Sequence, residues 1–189
     1  MKNLHIFYKK DKVLTHLRVF VLMLPMKNDN LTNKRPSWDE YFMKLAWLVA
    51  ERSTCERHHV GAVIARDKRI LTTGYNGAAA GVKDCVELGC LRNEMNIPSG
   101  TRHEICRAIH AEQNAIIQGG FHGINIKGST LYCTHSPCIL CAKMIVNAGI
   151  KRVVMNVVYP DDSYKDLFTQ AGVEYSSLSI TNLNITQKV

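Results

Sequence analysis

The order of apolar segments along the chain predicts an α/β fold, a three-layer α/β/α sandwich around a mixed sheet of about five strands. Two strand-like segments joined by a turn come first, and segments of strand and helix character then alternate. The chain has 189 residues, of which 46% are hydrophobic and 21% are charged. This length and composition fit one compact globular domain. Because no apolar run approaches the roughly 18 residues that span a bilayer, we expect no membrane-spanning helix.

The first predicted elements are a helix and a β-hairpin. Ser37 followed by Glu40 is a capping-box pattern, which predicts a helix over Trp38–Arg52. The apolar positions that recur at helical spacing are Tyr41, Leu45, Leu48 and Val49. An antiparallel hairpin is predicted for the strands Val60–Ala65 and Ile70–Tyr75, which flank the turn Arg66–Arg69.

The later elements alternate between helix and strand. They are a helix His110–Gln118 closed by Gly119 and Gly120, a strand Thr130–Thr134, a helix Cys138–Asn147, a strand Arg152–Val158, a helix Tyr164–Gln170 and a strand Val173–Leu178. The segment Ala78–Ile109 shows little periodicity, and it holds three cysteines and one histidine. Irregular segments longer than about 15 residues are uncommon unless they are functional or held in place. We therefore expect a metal ion to hold this insert.

Charge and composition divide the chain into three parts: a basic N-terminal extension at residues 1–35, a folded domain at 36–180 and a tail at 181–189. The extension has eight basic and two acidic residues, so it supplies +6 of the net charge of +8. We expect it to be a poorly ordered tail. The alternative is that translation starts at Met26, in which case residues 1–25 come from a wrongly assigned start. The domain itself is close to neutral, which argues against a nucleic-acid partner.

The seven cysteines indicate metal binding rather than a disulfide framework. Their number is odd, and the chain shows no convincing secretory signal. Both observations favour a reducing, cytoplasmic location.

The strongest functional pattern combines His110-Ala111-Glu112 with Cys138 and Cys141. One imidazole and two thiolates are ligands that zinc prefers, and they leave a fourth position for water. A CxxC pair at a helix start directs both sulfur atoms to one side, where the helix dipole favours the thiolate. The sequence therefore predicts a catalytic zinc ion held by His110, Cys138 and Cys141.

Glu112 follows the predicted histidine ligand by two residues, and we expect it to be the catalytic proton carrier. It would take a proton from the attacking water, pass it to N3 of a cytosine ring and then protonate the departing amine. A carboxylate beside the zinc ligands but outside the ligand set is the pattern of zinc-dependent deaminases.

The sequence resembles the deoxycytidylate deaminase family, within the cytidine deaminase-like superfamily, over about residues 36–175. The matching segments are Val60–Ile64, Gly74–Gly77, Gly81, His110–Ile116 and Pro137–Lys143. The resemblance implies a cytidine deaminase-like fold and hydrolytic deamination of dCMP to dUMP and ammonia, which would feed thymidylate synthesis. It also implies substrate contacts from Asn76, Ala111, Ser136 and Tyr159. Arg57, His58 and His59 are candidates for the phosphate, although solvated loop charges are the simpler interpretation.

The same resemblance implies regulation and assembly. Family members are activated by dCTP and inhibited by dTTP, and they form hexamers. The effector-site motif matches Gly74, Tyr75, Asn76, Gly77 and Gly81, and a triphosphate effector would bring Mg²⁺ with it. Ala78–Ala80 stand where the family has a proline after this motif.

Some relatives hold a second, structural zinc ion, and the resemblance implies that Cys55 and Cys85 are ligands here. His103 and Cys106 would complete the site, with Cys90 as the competing ligand. Buried free thiols are the alternative.

Other functions remain to be compared with dCMP deamination. One is deamination of free cytidine, a riboflavin-pathway pyrimidine or a transfer-RNA adenosine. The others are a DNA-uptake accessory protein and a structural zinc module. Glu112 argues against both non-enzymatic functions, because a structural zinc site does not need an unligated carboxylate.

Overall fold

The computed structural model describes residues 35–180, so nearly all of the predicted extension and the whole of the predicted tail lie outside the described residues. The elements are α1 (Trp38–Ala50), β1 (Gly61–Arg66), β2 (Arg69–Tyr75), β3 (Gly77–Ala78), α2 (Cys85–Leu88), α3 (Leu91–Glu94), β4 (Ala108–Ile109), α4 (Ala111–Phe121), β5 (Thr130–His135), α5 (Ile139–Asn147), β6 (Arg152–Val157), α6 (Tyr164–Ala171) and β7 (Glu174–Ser177). A short 3-10 turn covers His103–Ile105. Within residues 35–180, no helix has both the length and the apolar character that a membrane crossing needs.

The five long strands form one mixed sheet in the order β2-β1-β5-β6-β7. The pairs β1–β2 and β1–β5 are antiparallel, whereas β5–β6 and β6–β7 are parallel. The predicted hairpin is therefore confirmed. Asp67 and Lys68 both take positive φ angles, 52° and 61°, at its turn. Two such residues make the turn twist in the same sense as the strands that it joins.

Helices cover both faces of the sheet, which confirms the predicted three-layer α/β/α sandwich. Successive β1 residues point to opposite faces, as the two-residue repeat of a strand requires. Val63 and Ala65 pack with Phe42 and Trp47 of α1 on one face. On the other face, a second apolar cluster joins the sheet to α4, α5 and α6, and its members include Ala62, Ile64, Ala115, Ile145 and Phe168.

Two glycines let helices lie unusually close to this sheet. A Cβ atom on Gly61 would be 2.0 Å from the Ala46 carbonyl oxygen of α1. A Cβ atom on Gly74 would be 2.3 Å from the Ala111 carbonyl oxygen of α4. Neither position has room for a side chain, so both glycines set the spacing between layers.

The predicted apolar face of α1 was wrong for two of its four positions, whereas Leu45 and Val49 are partly buried and pack against the core. Tyr41 and Leu48 remain 42% and 57% exposed. The buried residues are Phe42, Met43, Ala46, Trp47 and Ala50. Small residues decide the orientation, because the close approach of α1 to Gly61 needs Ala46 and Ala50 at the contact.

The predicted end of α4 was also wrong, because the helix continues through Gly119 and Gly120 to Phe121. Gly119 is buried against Ile126, and a Cβ there would approach the Ile126 side chain to 3.0 Å. This glycine therefore serves packing rather than helix termination. The chain reverses at Gly123 instead, which has a φ of 65°.

The insert between β3 and β4 carries only short elements. Its two ends are joined by the antiparallel β3–β4 pair, in which Gly77 lies opposite Ile109. Asp84 starts α2, since its carboxylate accepts hydrogen bonds from the backbone N–H groups of Val86 and Glu87. The insert is thereby closed at its base and lies beside the N-terminus of α4.

Candidate functional site

The N-termini of α4 and α5 bring the predicted zinc ligands together. His110 is the N-cap residue of α4, and Cys138 is the N-cap residue of α5. Cys141 lies about one turn further along α5 and is fully buried. The backbone N–H of His110 donates to the Gln113 side chain, which fixes the start of α4. Both helix dipoles favour negative charge at this point, as thiolate ligands require.

The three ligand atoms have the spacing of a tetrahedral zinc site. His110 Nδ1 lies 3.6 Å from Cys138 Sγ and 3.3 Å from Cys141 Sγ. Zinc–nitrogen and zinc–sulfur bonds of about 2.0 and 2.3 Å, at a tetrahedral angle, separate two ligand atoms by about 3.5 Å. Among residues 35–180, this is the group of His, Cys, Asp and Glu side chains gathered closely enough to hold a metal ion. The donor set therefore fits zinc.

The two thiols differ strongly in acidity. A hydrogen bond from Cys141, together with one from His110, lowers the pKa of the Cys138 thiol to about 3. The pKa of Cys141 is raised, because it holds the proton that it shares with Cys138 and because it is buried. Burial alone would lower the pKa of His110, but its hydrogen bond to Cys138 and the Glu112 carboxylate outweigh burial and raise it. Negative charge is thus concentrated where a cation would bind.

Glu112 lies in the first turn of α4, beside these ligands, and is only 4% exposed. Burial raises the pKa of its carboxyl group, against the opposing effect of His110. Burying a carboxyl is costly unless its surroundings compensate, so this position is unusual for an acidic residue. The carboxyl group can hold or release a proton next to the metal-ligand cluster.

The four predicted substrate contacts, Asn76, Ala111, Ser136 and Tyr159, line one cavity with His110 and Glu112. The Tyr159 backbone N–H donates to Ser136 Oγ at 2.9 Å, and the Tyr159 ring stacks on His135 with centroids 5.2 Å apart. The structure thus places the four predicted contacts around one space.

Asn76 also has a structural role at this cavity. Its Oδ1 accepts from the Val60 N–H and its Nδ2 donates to the His58 carbonyl oxygen, both at 2.8 Å. These bonds fix the amide plane and leave one Nδ2 proton for a ligand. Asn76 can therefore hold the local backbone and also contact a substrate.

Several further residues line the cavity and could not be predicted from the sequence. Arg92, Ser99, Gly100 and His135 line it, together with the predicted phosphate candidates Arg57 and His58. His59 is not among the lining residues. The insert supplies Arg92, Ser99 and Gly100, where the sequence has no periodicity. The one available signal was a basic residue next to apolar Leu91 in a cysteine-rich segment.

The residues predicted for a second zinc ion lie in two places. Burial first, and then the neighbouring thiols of Cys55, Cys90 and Cys106, raise the pKa of Cys85 to about 11. His103 instead packs against His110, with ring centroids 4.8 Å apart. Within the described residues, these side chains are not gathered as closely as the His110 cluster. The second zinc site stays a prediction, and Cys90 lies with the other cysteines.

The predicted effector motif lies at the end of β2 and in the turn that follows. Gly74 is used in packing against α4, and the Tyr75 carbonyl oxygen accepts from Asn114 Nδ2 at 2.7 Å. Gly81 has a φ of 80° and no atom within 4 Å of a Cβ position. Of the three glycines, Gly81 is the one that leaves open space for a ligand.

The sequence matches a known protein family over more than half of its length. Residues 36–157 match the family model described as the cytidine and deoxycytidylate deaminase zinc-binding region. The chain is 42% identical over 156 residues to ComE operon protein 2 of Bacillus subtilis, covering 82% of this chain and 78% of that protein. It is 40% identical over 141 residues to deoxycytidylate deaminase of Schizosaccharomyces pombe, covering 74% of this chain. The match spans 44% of the length of that yeast relative.

A solved structure gives the same result. The dCMP deaminase of cyanophage S-TIM5, crystallised with dCMP and dUMP, has a TM-score of 0.64 and 36% sequence identity. The match covers 77% of this chain and 99% of the cyanophage chain. With the His110, Cys138 and Cys141 cluster at the meeting point of two helix N-termini, these matches show that the chain belongs to the cytidine and deoxycytidylate deaminase family defined by its zinc-binding region.

Proposed function

We propose that this protein hydrolyses dCMP to dUMP and ammonia, and so supplies dUMP for thymidylate synthesis. The observation that carries the proposal is the buried Glu112 carboxyl beside the cluster of His110, Cys138 and Cys141. Glu112, His110 and Cys138 line one cavity. The match to deoxycytidylate deaminases, one of them crystallised with dCMP and dUMP, supports the choice of substrate.

The side chains divide the chemistry among them. His110, Cys138 and Cys141 would hold the zinc ion, which when bound supplies the Lewis acidity that makes water nucleophilic near neutral pH. Glu112 accepts a proton from the attacking water and delivers it to N3 of the cytosine ring. After water adds at C4, Glu112 carries the second proton to the amino group, which leaves as ammonia. One water is consumed, and the C4–N bond is replaced by a carbonyl.

The other cavity residues orient the substrate. Asn76 has one Nδ2 proton free for the sugar, and Ser136 and Tyr159 line the same cavity. Ala111 is fully buried and lines the cavity next to Glu112.

The test is deamination by the purified, zinc-loaded protein, followed by ultraviolet absorbance. The four substrates are dCMP, CMP, deoxycytidine and dCTP. Selective conversion of dCMP is the expected result. No turnover of any of them, with zinc bound, would overturn the proposal and favour another base or a non-enzymatic accessory function.

Regulation, assembly and a second metal belong to the same proposal. The open space at Gly81 supports an effector site for dCTP and dTTP, with Mg²⁺ on the triphosphate, and family resemblance supports a homohexamer. The buried thiols around Cys85 support a structural zinc ion. The same preparation tests all three. We expect dCTP to stimulate and dTTP to inhibit the assay, light scattering to give a hexamer, and metal analysis to give two zinc ions per chain.

A further inference from the structure

Four basic side chains hold one short stretch of the insert, Ile97–Gly100, at the edge of the cavity. Arg57 Nη1 donates to the Ile97 carbonyl oxygen at 2.9 Å, and Arg92 Nη2 donates to the Pro98 carbonyl oxygen at 3.0 Å. The remaining two contacts join His58 Nε2 to Ser99 Oγ and His103 Nε2 to the Gly100 carbonyl oxygen. All four basic residues also line the cavity. The insert is therefore folded around a cluster of positive and polar groups.

Arg92 is the unusual member of this cluster. It is only 6% exposed, and its Nε is buried without a hydrogen-bond partner. In the part of the chain that the structure describes, neither Arg92 nor Arg57 forms an ion pair. A buried charge is costly unless a counter-charge or a full set of hydrogen bonds compensates it. The bond to Pro98 uses one of the five guanidinium N–H donors, and the buried Nε–H is a further donor that an anionic ligand can meet.

The acidic residues that line the cavity do not pair with Arg92 or Arg57. Glu112 lies with the metal-ligand cluster, and Asp161 Oδ1 accepts from the Ser163 backbone N–H at 3.0 Å. Burial is the largest cause that lowers the pKa of His58, and the positive charges of Arg57 and Arg92 lower it further. Both guanidinium groups therefore act electrostatically on this part of the cavity. The cavity thus holds the proton-transfer group Glu112 and, in addition, cationic groups from the insert and from the segment between α1 and β1.

A nucleoside monophosphate matches this division, since its base and its phosphate lie at opposite ends of the molecule. An arginine guanidinium binds phosphate oxygens through paired, charge-assisted hydrogen bonds. We infer that Arg92, assisted by Arg57, binds the 5′-phosphate of the substrate and makes this enzyme select a nucleotide over the free nucleoside. The inference rests on the proposed function, since it concerns the substrate of that same site.

The variant Arg92→Gln tests this inference, with deamination of dCMP and of deoxycytidine measured side by side. We expect kcat/KM for dCMP to fall about 10- to 100-fold, the range for losing a charge-assisted hydrogen bond, while that for deoxycytidine stays within about threefold. Arg102→Gln is the matched control, because Arg102 is an exposed insert arginine paired with Glu104 outside the cavity. It should leave both values unchanged.

Equal losses on both substrates would overturn the inference, because a purely structural arginine does not distinguish them. If Arg92→Gln does not fold, Arg57→Gln gives the same comparison with a partly exposed residue. Calorimetric titration with dUMP and deoxyuridine separates this inference from the proposed function, because it needs no turnover. Wild-type protein that binds dUMP more tightly, with the preference lost in Arg92→Gln, supports phosphate recognition even without deaminase activity. Wild-type protein without this preference overturns it.

Discussion

At the scale of single residues, the environment of Glu112 explains what a carboxyl group can do here. The group is buried at the start of α4, next to the cluster of His110, Cys138 and Cys141. Burial favours the protonated form and the neighbouring imidazole favours the ionised form. A carboxyl balanced between these effects can accept and return a proton within one catalytic cycle.

Replacing Glu112 with Gln should therefore remove proton transfer and leave the fold and the metal site intact. We expect kcat for dCMP to fall about 10²- to 10⁴-fold, the usual contribution of a positioned acid–base group. Zinc content and melting temperature should match the wild type, because the amide has nearly the same shape and Glu112 is not in the ligand set. Steady-state kinetics, metal analysis and thermal unfolding measure the three quantities.

Cys138→Ala is the contrasting variant, since Cys138 is a member of the ligand set. It should lose zinc and activity together. A Glu112→Gln protein that kept more than a tenth of the wild-type kcat would show that another group transfers the protons.

The metal ligands and Glu112 could be predicted from the sequence because the starts of two helices place them locally. His110 and Glu112 are two residues apart, and Cys138 and Cys141 are three apart, so each pair is placed by one helix start. Arg92 could not be predicted in this way. Its place at the cavity depends on how the irregular insert folds, and its neighbours Arg57 and His58 are more than 30 residues away in the sequence.

At the scale of elements, the contact between α4 and β2 decides how the site is positioned. Gly74 lets the first turn of α4, which carries Glu112, approach the sheet closely. The family resemblance assigns Gly74 to an effector motif, whereas its surroundings show a packing role. A substitution at this glycine separates the two roles.

Gly74→Ala should destabilise the protein by about 1–3 kcal/mol, the usual cost of forcing an extra methyl group into a packed interior. The added Cβ would meet the Ala111 carbonyl oxygen and the Ala115 nitrogen, and both belong to the backbone. Helix α4 must therefore move away from β2 and shift Glu112. Urea unfolding should show the loss of stability, and kcat should fall without any effector present.

Gly120→Ala is the matched control on the same helix, where no atom lies within 4 Å of the Cβ position. This change should be neutral or stabilise the protein slightly, because alanine favours helix more than glycine does. If Gly74→Ala were as stable as Gly120→Ala but lost its response to dCTP, the packing explanation would be wrong.

The regular elements followed from the sequence because their periodicity is strong, whereas their exact orientation did not. Strands β1 and β5 are buried on both faces, so each is a short, nearly continuous apolar run, and such a run does not depend on the register of the strand. The face of α1 depends instead on Gly61, which lies in a different element, and the end of α4 depends on the fit of Gly119 against Ile126. Such tertiary contacts override local turn signals.

At the scale of the whole molecule, a polar link joins the α1 layer to the sheet. Asp39, in the first turn of α1, accepts two hydrogen bonds from Arg152 of β6, at 2.9 and 2.7 Å. Its Oδ1 also accepts from the Tyr132 hydroxyl of β5 at 2.8 Å. One carboxylate thus connects three elements. The Arg152 guanidinium holds the pKa of Asp39 below its ordinary value, although burial acts in the opposite direction.

The lowered pKa gives Asp39 a defined effect on stability against pH. Above the unfolded-state value of about 3.9, the carboxyl is ionised in both states and contributes its full stabilisation. As the pH falls through the folded-state pKa, the proton binds in both states and the contribution disappears. Asp39→Asn should therefore lower the free energy of unfolding by about 1–2 kcal/mol at pH 7, the range for a two-bond arginine–carboxylate pair that is partly screened by solvent. At pH 3 the variant should lie closer to the wild type.

Urea unfolding of the wild type and of Asp39→Asn at both pH values measures this difference in unfolding free energy. Because both proteins lose zinc in acid, the effect of that loss cancels when one value is subtracted from the other. Asp162→Asn is the matched control, because Asp162 pairs with Lys165 on the exposed surface of α6. It should change stability by less than about 0.5 kcal/mol at either pH. An Asp39→Asn penalty that did not shrink between pH 7 and pH 3 would assign the stabilisation to the shape of the side chain rather than its charge. We expect instead that the loss of unfolding free energy in Asp39→Asn becomes smaller at pH 3. That result would mean that the α1 layer is held to the sheet by one ion pair and otherwise by apolar packing. Acid would then weaken the ion pair without separating the layers.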